Sequence, residues 1–157
     1  MAIIDRKDVS AFFSILRKSK KIVFTNGCFD ILHIGHIKYL EQAKKLGDIL
    51  VVGVNSDESV KRLKGEKRPI NRLSERMLML DALKSVDFVT YFEEDTPYNL
   101  INDIKPHFLV KGGDWNIDQI VGSDIVIENG GQVLSLNFEE GFATTNIIEE
   151  IKKRYCE

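Results

Sequence analysis

The sequence predicts an α/β fold built on a doubly wound parallel sheet, and three observations carry that prediction. Strand-like apolar runs alternate with segments of helical periodicity along the chain. The strand-like runs, "ILVVGV" above all, lack polar alternation, as expected of strands covered on both faces. The chemically suggestive residues each follow a strand-like run, at the edge where open parallel sheets bind ligands.

Element by element, Phe12, Phe13, Ile15 and Leu16 suggest a short amphipathic leading helix, and "KIVFTN" a first strand. Ile37, Leu40 and Ala43 recur at helical spacing, joined by Tyr39 and Leu46, and Gly47 is placed to stop that helix. "DILVVGVN" is the second strand, followed by a basic loop over residues 61–72. Ser74 and "ERMLMLDAL" read as a capped helix, and "VDFVTYF" as the third strand. "TPYNLINDI" is a helix with Pro97 near its first turn, and "PHFLVKG" the fourth strand. "SDIVIENGGQVLSLN" reads as two short strands around Asn129, Gly130 and Gly131, with room for a helical turn before the first. "TTNIIEEIKKRY" is a closing helix with hydroxyls at its start. Right-handed crossovers then give a Rossmann-like, doubly wound sheet in a single domain, residues 1–20 leading and 21–157 forming the core.

Composition narrows the function. A chain of 157 residues with 43% hydrophobic composition is sized for one domain with a real core. A net charge of -2 gives no global attraction to nucleic acid or an anionic membrane, so a phosphate ligand must be met by local clustering. Cys28 and Cys156 form no zinc or disulfide pattern, which suits free thiols in a cytoplasmic protein. No run approaches membrane-span or signal-peptide length.

The stretch "TNGCFDILHIGH" places two of the chain's three histidines, His33 and His36, three residues apart around Gly35, where a strand turns into a helix. They could cap and pack the helix start. They could be two metal ligands, with a third from Cys28, Asp30 or His107. The phosphate reading explains more residues together: Gly27 lets the chain turn, Gly35 admits backbone to a ligand, and the helix supplies its dipole and unpaired N–H groups. Two imidazoles there can donate hydrogen bonds to phosphate oxygens as charge builds.

"GCFDILHIGH" resembles the glycine, phenylalanine, aspartate and paired-histidine signature of the nucleotidylyltransferase superfamily. "VGVNSDESVKRLKGEKRPINRLSERMLML", "EEDTPYNLI", "LVKGGDW" and "NFEEGFATTNIIEEIKK" resemble, within it, the bacterial heptose 1-phosphate adenylyltransferase domain. The resemblance runs from about Lys21 to the C-terminus. That domain is often fused to a sugar kinase, and the present chain resembles the separate-enzyme version. The resemblance implies ATP and a sugar 1-phosphate as substrates, Mg²⁺ with the nucleotide, a cytoplasmic location and a possible homodimer. The sugar phosphate would displace pyrophosphate in line from the α-phosphorus, with no covalent intermediate and no general base.

It also assigns roles. His33 and His36 would contact the α- and β-phosphates as catalytic residues. Lys64, in the basic loop whose Gly65 and Pro69 suit a mobile lid, would meet the leaving pyrophosphate, the alternative being a solvated loop. Arg76 would reach the β- or γ-phosphate, the alternative being a salt bridge on its helix with Glu75 or Asp81. Thr144 and Thr145 match the hydroxyl-bearing phosphate motif at a helix start while serving as caps. Asn26 and Phe29 would face the nucleotide through backbone. Gly112 and Gly113 would let adenine or ribose lie against the chain, and Asp114 would accept from ligand hydroxyls, the alternative being a tight turn with Trp115 packing. No role attaches to Lys111. Cytidylyltransferase relatives carry an arginine shortly before the motif glycine, whereas this chain has Asn137, Phe138, Glu139 and Glu140 before Gly141, and Ala143 where a serine often stands. The alternatives left standing are a cytidylyltransferase acting on a small polyol phosphate such as glycerol 3-phosphate, and a metal-dependent hydrolase using Asp30, His33 and His36.

Overall fold

A computed structural model of the chain describes residues 2–137 and 142–156. Five strands, β1 (Ile22–Gly27), β2 (Ile49–Asn55), β3 (Phe88–Phe92), β4 (Phe108–Gly112) and β5 (Gln132–Leu136), form one sheet. Their order is β3-β2-β1-β4-β5, with every neighbouring pair parallel. Seven α-helices are described: α1 (Val9–Leu16), α2 (Ile34–Lys44), α3 (Asp57–Lys64), α4 (Leu73–Asp81), α5 (Tyr98–Ile104), α6 (Ser123–Glu128) and α7 (Thr144–Tyr155).

The central strands are apolar over most of their length because each face has its own helices. Ile22 and Phe24 of β1, with Ile49 and Val51 of β2, pack against Val9 and Phe13 of α1, Leu100 and Ile104 of α5, and Val126 of α6. Val23 of β1 and Leu50, Val52 and Val54 of β2 point the other way, toward Tyr39 and Leu40 of α2 and Leu80 of α4. Each large apolar side chain so buried contributes roughly 1.5–3 kcal/mol. The leading segment is part of this structure: Phe13 is fully buried, and Ile4 donates its backbone N–H to Val89 at 2.8 Å. Among the described residues no helix is long and apolar enough to cross a membrane.

Four expectations need correction. The basic segment is not loop from its first residue, because α3 runs to Lys64. Ser56 caps it, accepting from the Ser59 N–H at 3.2 Å, while Asp57 and Glu58 in the first turn and Lys61, Arg62 and Lys64 in the last complement the helix dipole. Ser123–Glu128 is helix rather than strand, burying the adjacent Ile125 and Val126 and leaving Ile127 exposed. Adjacent burial is incompatible with strand alternation, and Gly130 at φ +78° turns the chain out of the helix. Ser74 lies inside α4, whose start is set by Arg72, with the Arg72 N–H donating to Glu75 at 2.8 Å. Gly47 lies beyond the end of α2 for a different reason: a Cβ there would sit 2.8 Å from the Lys21 carbonyl, so the residue permits a close approach of two chain segments.

Candidate active site

The strand order reverses between β1 and β4, and the crevice outside the carboxyl ends of those strands holds a cavity of about 770 Å³. Asn26 and Gly27 at the end of β1 line it, as do Lys111 near the end of β4, and Ala143, Thr144 and Thr145 where α7 begins.

His33 and His36 line the cavity at the start of α2, and local structure sets both rings. His33 is the N-cap residue, and its Nδ1 accepts from the Gly35 N–H at 3.1 Å. The His33 N–H in turn points at His36 Nδ1, at 3.4 Å. With both Nδ1 atoms accepting, a neutral ring carries its proton on Nε2, so each imidazole has an Nε2–H donor for a ligand. The rings stack, with centroids 3.9 Å apart. Burial lowers the His33 pKa, and burial together with the His33 charge takes His36 down to about 4. Both are therefore neutral donors near pH 7. Gly35 is required at this spacing: a Cβ there would lie 3.0 Å from His33 Nδ1 and from Phe142 Cβ. One turn further along α2, the Tyr39 hydroxyl pairs with Thr25 Oγ1 at 2.7 Å and donates to the Val110 carbonyl at 3.2 Å. These bonds fix the histidine-bearing helix to β1 and β4. Burial raises the Tyr39 pKa to about 12, keeping the phenol protonated.

Phe29, between β1 and α2, has φ +48°, a conformation that costs a bulky residue roughly 1–2 kcal/mol. Its ring is buried on the α2 side of the core, 5.3 Å from His36, and that packing holds the turn. Gly27 makes room beside it, since a Cβ there would stand 3.0 Å from the ring.

Asp30, 2% exposed, is a clasp for the segment after α3. Its carboxylate accepts from Arg68 Nε at 2.6 Å and from the backbone N–H groups of Ile70 and Asn71 at 2.9 and 2.8 Å. Burial would raise its pKa, but the two backbone donors and the guanidinium outweigh it and hold the carboxyl below the usual range. Arg76 is buried beneath the cavity, where its guanidinium donates to the carbonyls of Cys28, Asn55 and Asn71 at 2.7, 2.8 and 3.0 Å and to Asp57 at 2.9 Å. The structure thus places it as a brace joining the ends of β1 and β2 to α4. Neither a phosphate contact nor a surface salt bridge describes that geometry, and no sequence signal distinguished a buried arginine from an exposed one.

Lys64, in the last turn of α3, lines the cavity, as do Asn26, Gly27 and Phe29. Gly35 lies just behind the histidines. The glycine turn after β4 behaves otherwise: Lys111 and Trp115 reach the cavity, while Gly112, Gly113 and Asp114 are not among its lining residues. Gly113, at φ +105°, donates to the Leu136 carbonyl at 2.8 Å, and the Trp115 Nε1–H closes on the Gly112 carbonyl at 3.0 Å. This is the tight turn weighed above as the alternative. Helix α7 begins after Ala143 without a side-chain cap, so Thr144 and Thr145 occupy its first turn instead of capping it. The Thr144 hydroxyl donates to the Ile31 carbonyl at 3.2 Å, tying the helix start to the histidine loop. The segment Phe138-Glu139-Glu140-Gly141 that precedes it lies outside the described residues.

No three His, Cys, Asp or Glu side chains among the described residues come together as a metal site. Asp30, the proposed third partner of the histidines, already has its carboxylate filled by Arg68 and backbone donors.

A family profile described as cytidylyltransferase-like matches residues 24–150. The chain is 60% identical over 137 residues to the bifunctional protein HldE of Klebsiella pneumoniae, covering 87% of this chain and 29% of that protein. It is 62% identical over 135 residues to the HldE of Haemophilus influenzae, again spanning under a third of the relative's length. Among solved structures, a lipopolysaccharide core biosynthesis protein from Thermoplasma volcanium is 31% identical, with a TM-score of 0.61, covering 77% of this chain and 98% of that one. A pantoate-beta-alanine ligase from Francisella tularensis, 18% identical with a TM-score of 0.63 over 97% of this chain and 77% of its own, shares the fold. The profile spans β1 through α7, the elements that enclose the cavity, and the chain belongs to the cytidylyltransferase-like family.

Proposed function

We propose that the protein is a sugar 1-phosphate adenylyltransferase, converting ATP and D-glycero-β-D-manno-heptose 1-phosphate to ADP-heptose and pyrophosphate. The observation that carries the reading is the stacked, neutral histidine pair with both Nε2–H groups free for a ligand in the switch-point cavity. The likeness to HldE and to the lipopolysaccharide core biosynthesis protein supports the choice of sugar.

In this reading the α-phosphate of ATP lies against His33 and His36. The phosphate oxygen of the sugar attacks the α-phosphorus, a P–O bond forms, and the bond to the pyrophosphate oxygen breaks in line. The nucleophile is already ionised, so neither histidine removes a proton. Each Nε2–H instead donates to oxygens whose charge grows in the transition state. Neutral rings suit that task, since each keeps its proton throughout. Thr144, Thr145 and the first turn of α7 add donors on the nucleotide, and Lys64 screens the leaving pyrophosphate. Mg²⁺, carried on the triphosphate, would supply further charge neutralisation. The same reading places the enzyme in the cytoplasm and pairs it as a homodimer, an arrangement that would cover α7, none of whose described residues is buried.

The test offers each nucleoside triphosphate with either the heptose 1-phosphate or glycerol 3-phosphate and measures pyrophosphate release. ATP with the heptose ester is expected to give the highest kcat/KM. Preference for CTP with glycerol 3-phosphate would replace the substrates, and release of inorganic phosphate alone would replace the reaction.

A further inference from the structure

We propose that Lys111 is the anchor for the acceptor's phosphate, its ammonium and the Trp115 ring forming a subsite for the phosphate monoester that attacks ATP. The inference rests on the adenylyltransferase reading and adds to it the residue that receives the second substrate.

Among the described residues, three lysine or arginine side chains line the cavity: Lys64, Arg68 and Lys111. Arg68 is bound to Asp30 at 2.6 Å. Arg76, below the cavity, is bound to Asp57 and three carbonyls. Of the lining carboxylates, Asp30 is filled and Asp95 pairs with Arg62 at 2.7 Å. Lys64 and Lys111 remain, and neither has an ion-pair partner among the described residues. Two phosphate-bearing substrates must be met, the histidines are neutral, and Lys64, in the last turn of α3, is the residue that the adenylyltransferase reading gives to the leaving pyrophosphate. The acceptor's dianion is then left to Lys111.

Its setting fits an anchor. Lys111 rises from the rigid end of β4, half-buried, with Nζ 5.4 Å from the centroid of the Trp115 ring. Burial lowers its pKa and nearby Lys64 adds to that, the Cys28 sulfur opposing both. A partly desolvated ammonium beside another cation, with no carboxylate near enough to pair, gains most from an arriving dianion. The strand next to β4 is β1, whose continuation carries the histidines, so a phosphate on Lys111 sits across the switch point from the nucleotide's reacting phosphorus. Trp115, 45% exposed, offers an apolar face to the sugar ring attached to it.

Trp115 is the chain's single tryptophan, which makes its fluorescence a direct reporter of this subsite. Titrating the wild-type protein with the heptose 1-phosphate, without ATP, is expected to change Trp115 emission saturably, and Lys111→Met is expected to abolish the change. In steady state, Lys111→Met is expected to raise KM for the sugar phosphate about 10- to 100-fold while KM for ATP stays within about twofold, with Lys111→Arg recovering most of the loss. A variant whose KM rises for ATP instead, or for neither substrate, overturns the inference while wild-type pyrophosphate release leaves the adenylyltransferase reading standing. Wild-type protein whose Trp115 emission ignores both the heptose 1-phosphate and inorganic phosphate also overturns it, whether or not the variant folds. Absence of pyrophosphate release from the wild type overturns the adenylyltransferase reading itself.

Discussion

Substituting Gly35 by alanine separates folding from chemistry. The new Cβ would sit 3.0 Å from His33 Cε1, His33 Nδ1 and Phe142 Cβ, where ordinary carbon contacts begin near ~3.5 Å. The His33 ring must therefore retreat by about 0.5 Å, which stretches its bond from the Gly35 N–H and shifts its stacked partner. Stability is pulled both ways. Alanine gains up to ~1 kcal/mol over glycine inside a helix, while crowding costs a similar amount because Phe142 is 44% exposed and free to give. The net change in unfolding free energy is expected to be within about 1 kcal/mol. Turnover has no such compensation: a displacement near 1 Å at a positioned group costs about 100-fold, so half that distance costs roughly tenfold. Urea unfolding and initial rates of pyrophosphate release, measured on one preparation, give both numbers. Turnover within about twofold of wild type, at equal stability, would refute the claim that His33's position matters to the reaction.

Other perturbations test neighbouring parts of the account. His36→Ala is expected to lower kcat by roughly 10²–10³ with ~1 kcal/mol or less of lost stability, and unchanged kcat would remove it from the chemistry. Between its folded pKa of about 4 and its unfolded value near ~6.5, His36 binds a proton only when unfolded, so its contribution to stability is complete above that window and lost as pH falls through it. Unfolding free energies from urea titrations at pH 7.5 and pH 5 should then differ by about 1 kcal/mol after allowance for solvent screening, and an NMR titration midpoint near ~6.5 in the folded protein would contradict the assignment. Arg76→Met, which strands three carbonyls and the Asp57 carboxylate, is expected to cost about 3–5 kcal/mol in urea unfolding; a loss of KM for ATP at full stability would instead return Arg76 to the phosphates.

The sheet was legible in the sequence because Ile22–Phe24 of β1 and Ile49–Val54 of β2 run without a polar side chain, as a strand covered on both faces requires. The segment Ser123–Glu128 was not, because Ile125, Val126 and Ile127 satisfy strand and helix propensities alike and only the glycine turn decides. Charge misled the reading of α3: a run of lysines and arginines looks like solvated loop, although the same residues stabilise the last turn of a helix whose Val60 is buried. Within the candidate site, the histidine pair and its glycines could be named because their spacing fixes their geometry locally. Asp30, Arg76 and Lys111 could not be sorted that way. The partners of Asp30 lie 38–41 residues away and those of Arg76 5–48 residues away, while Lys111 has no ion-pair partner among the described residues; most of these contacts are made by topology and are not revealed by spacing.

The central claim is that two neutral imidazoles hold the reacting phosphate through their Nε2–H groups. A crystal structure with the non-hydrolysable analogue α,β-methylene-ATP tests it most directly. The account predicts α-phosphonate oxygens within about 2.7–3.2 Å of Nε2 on both His33 and His36, with both Nδ1 atoms still facing backbone N–H groups. A polyphosphate lying clear of both rings would contradict it.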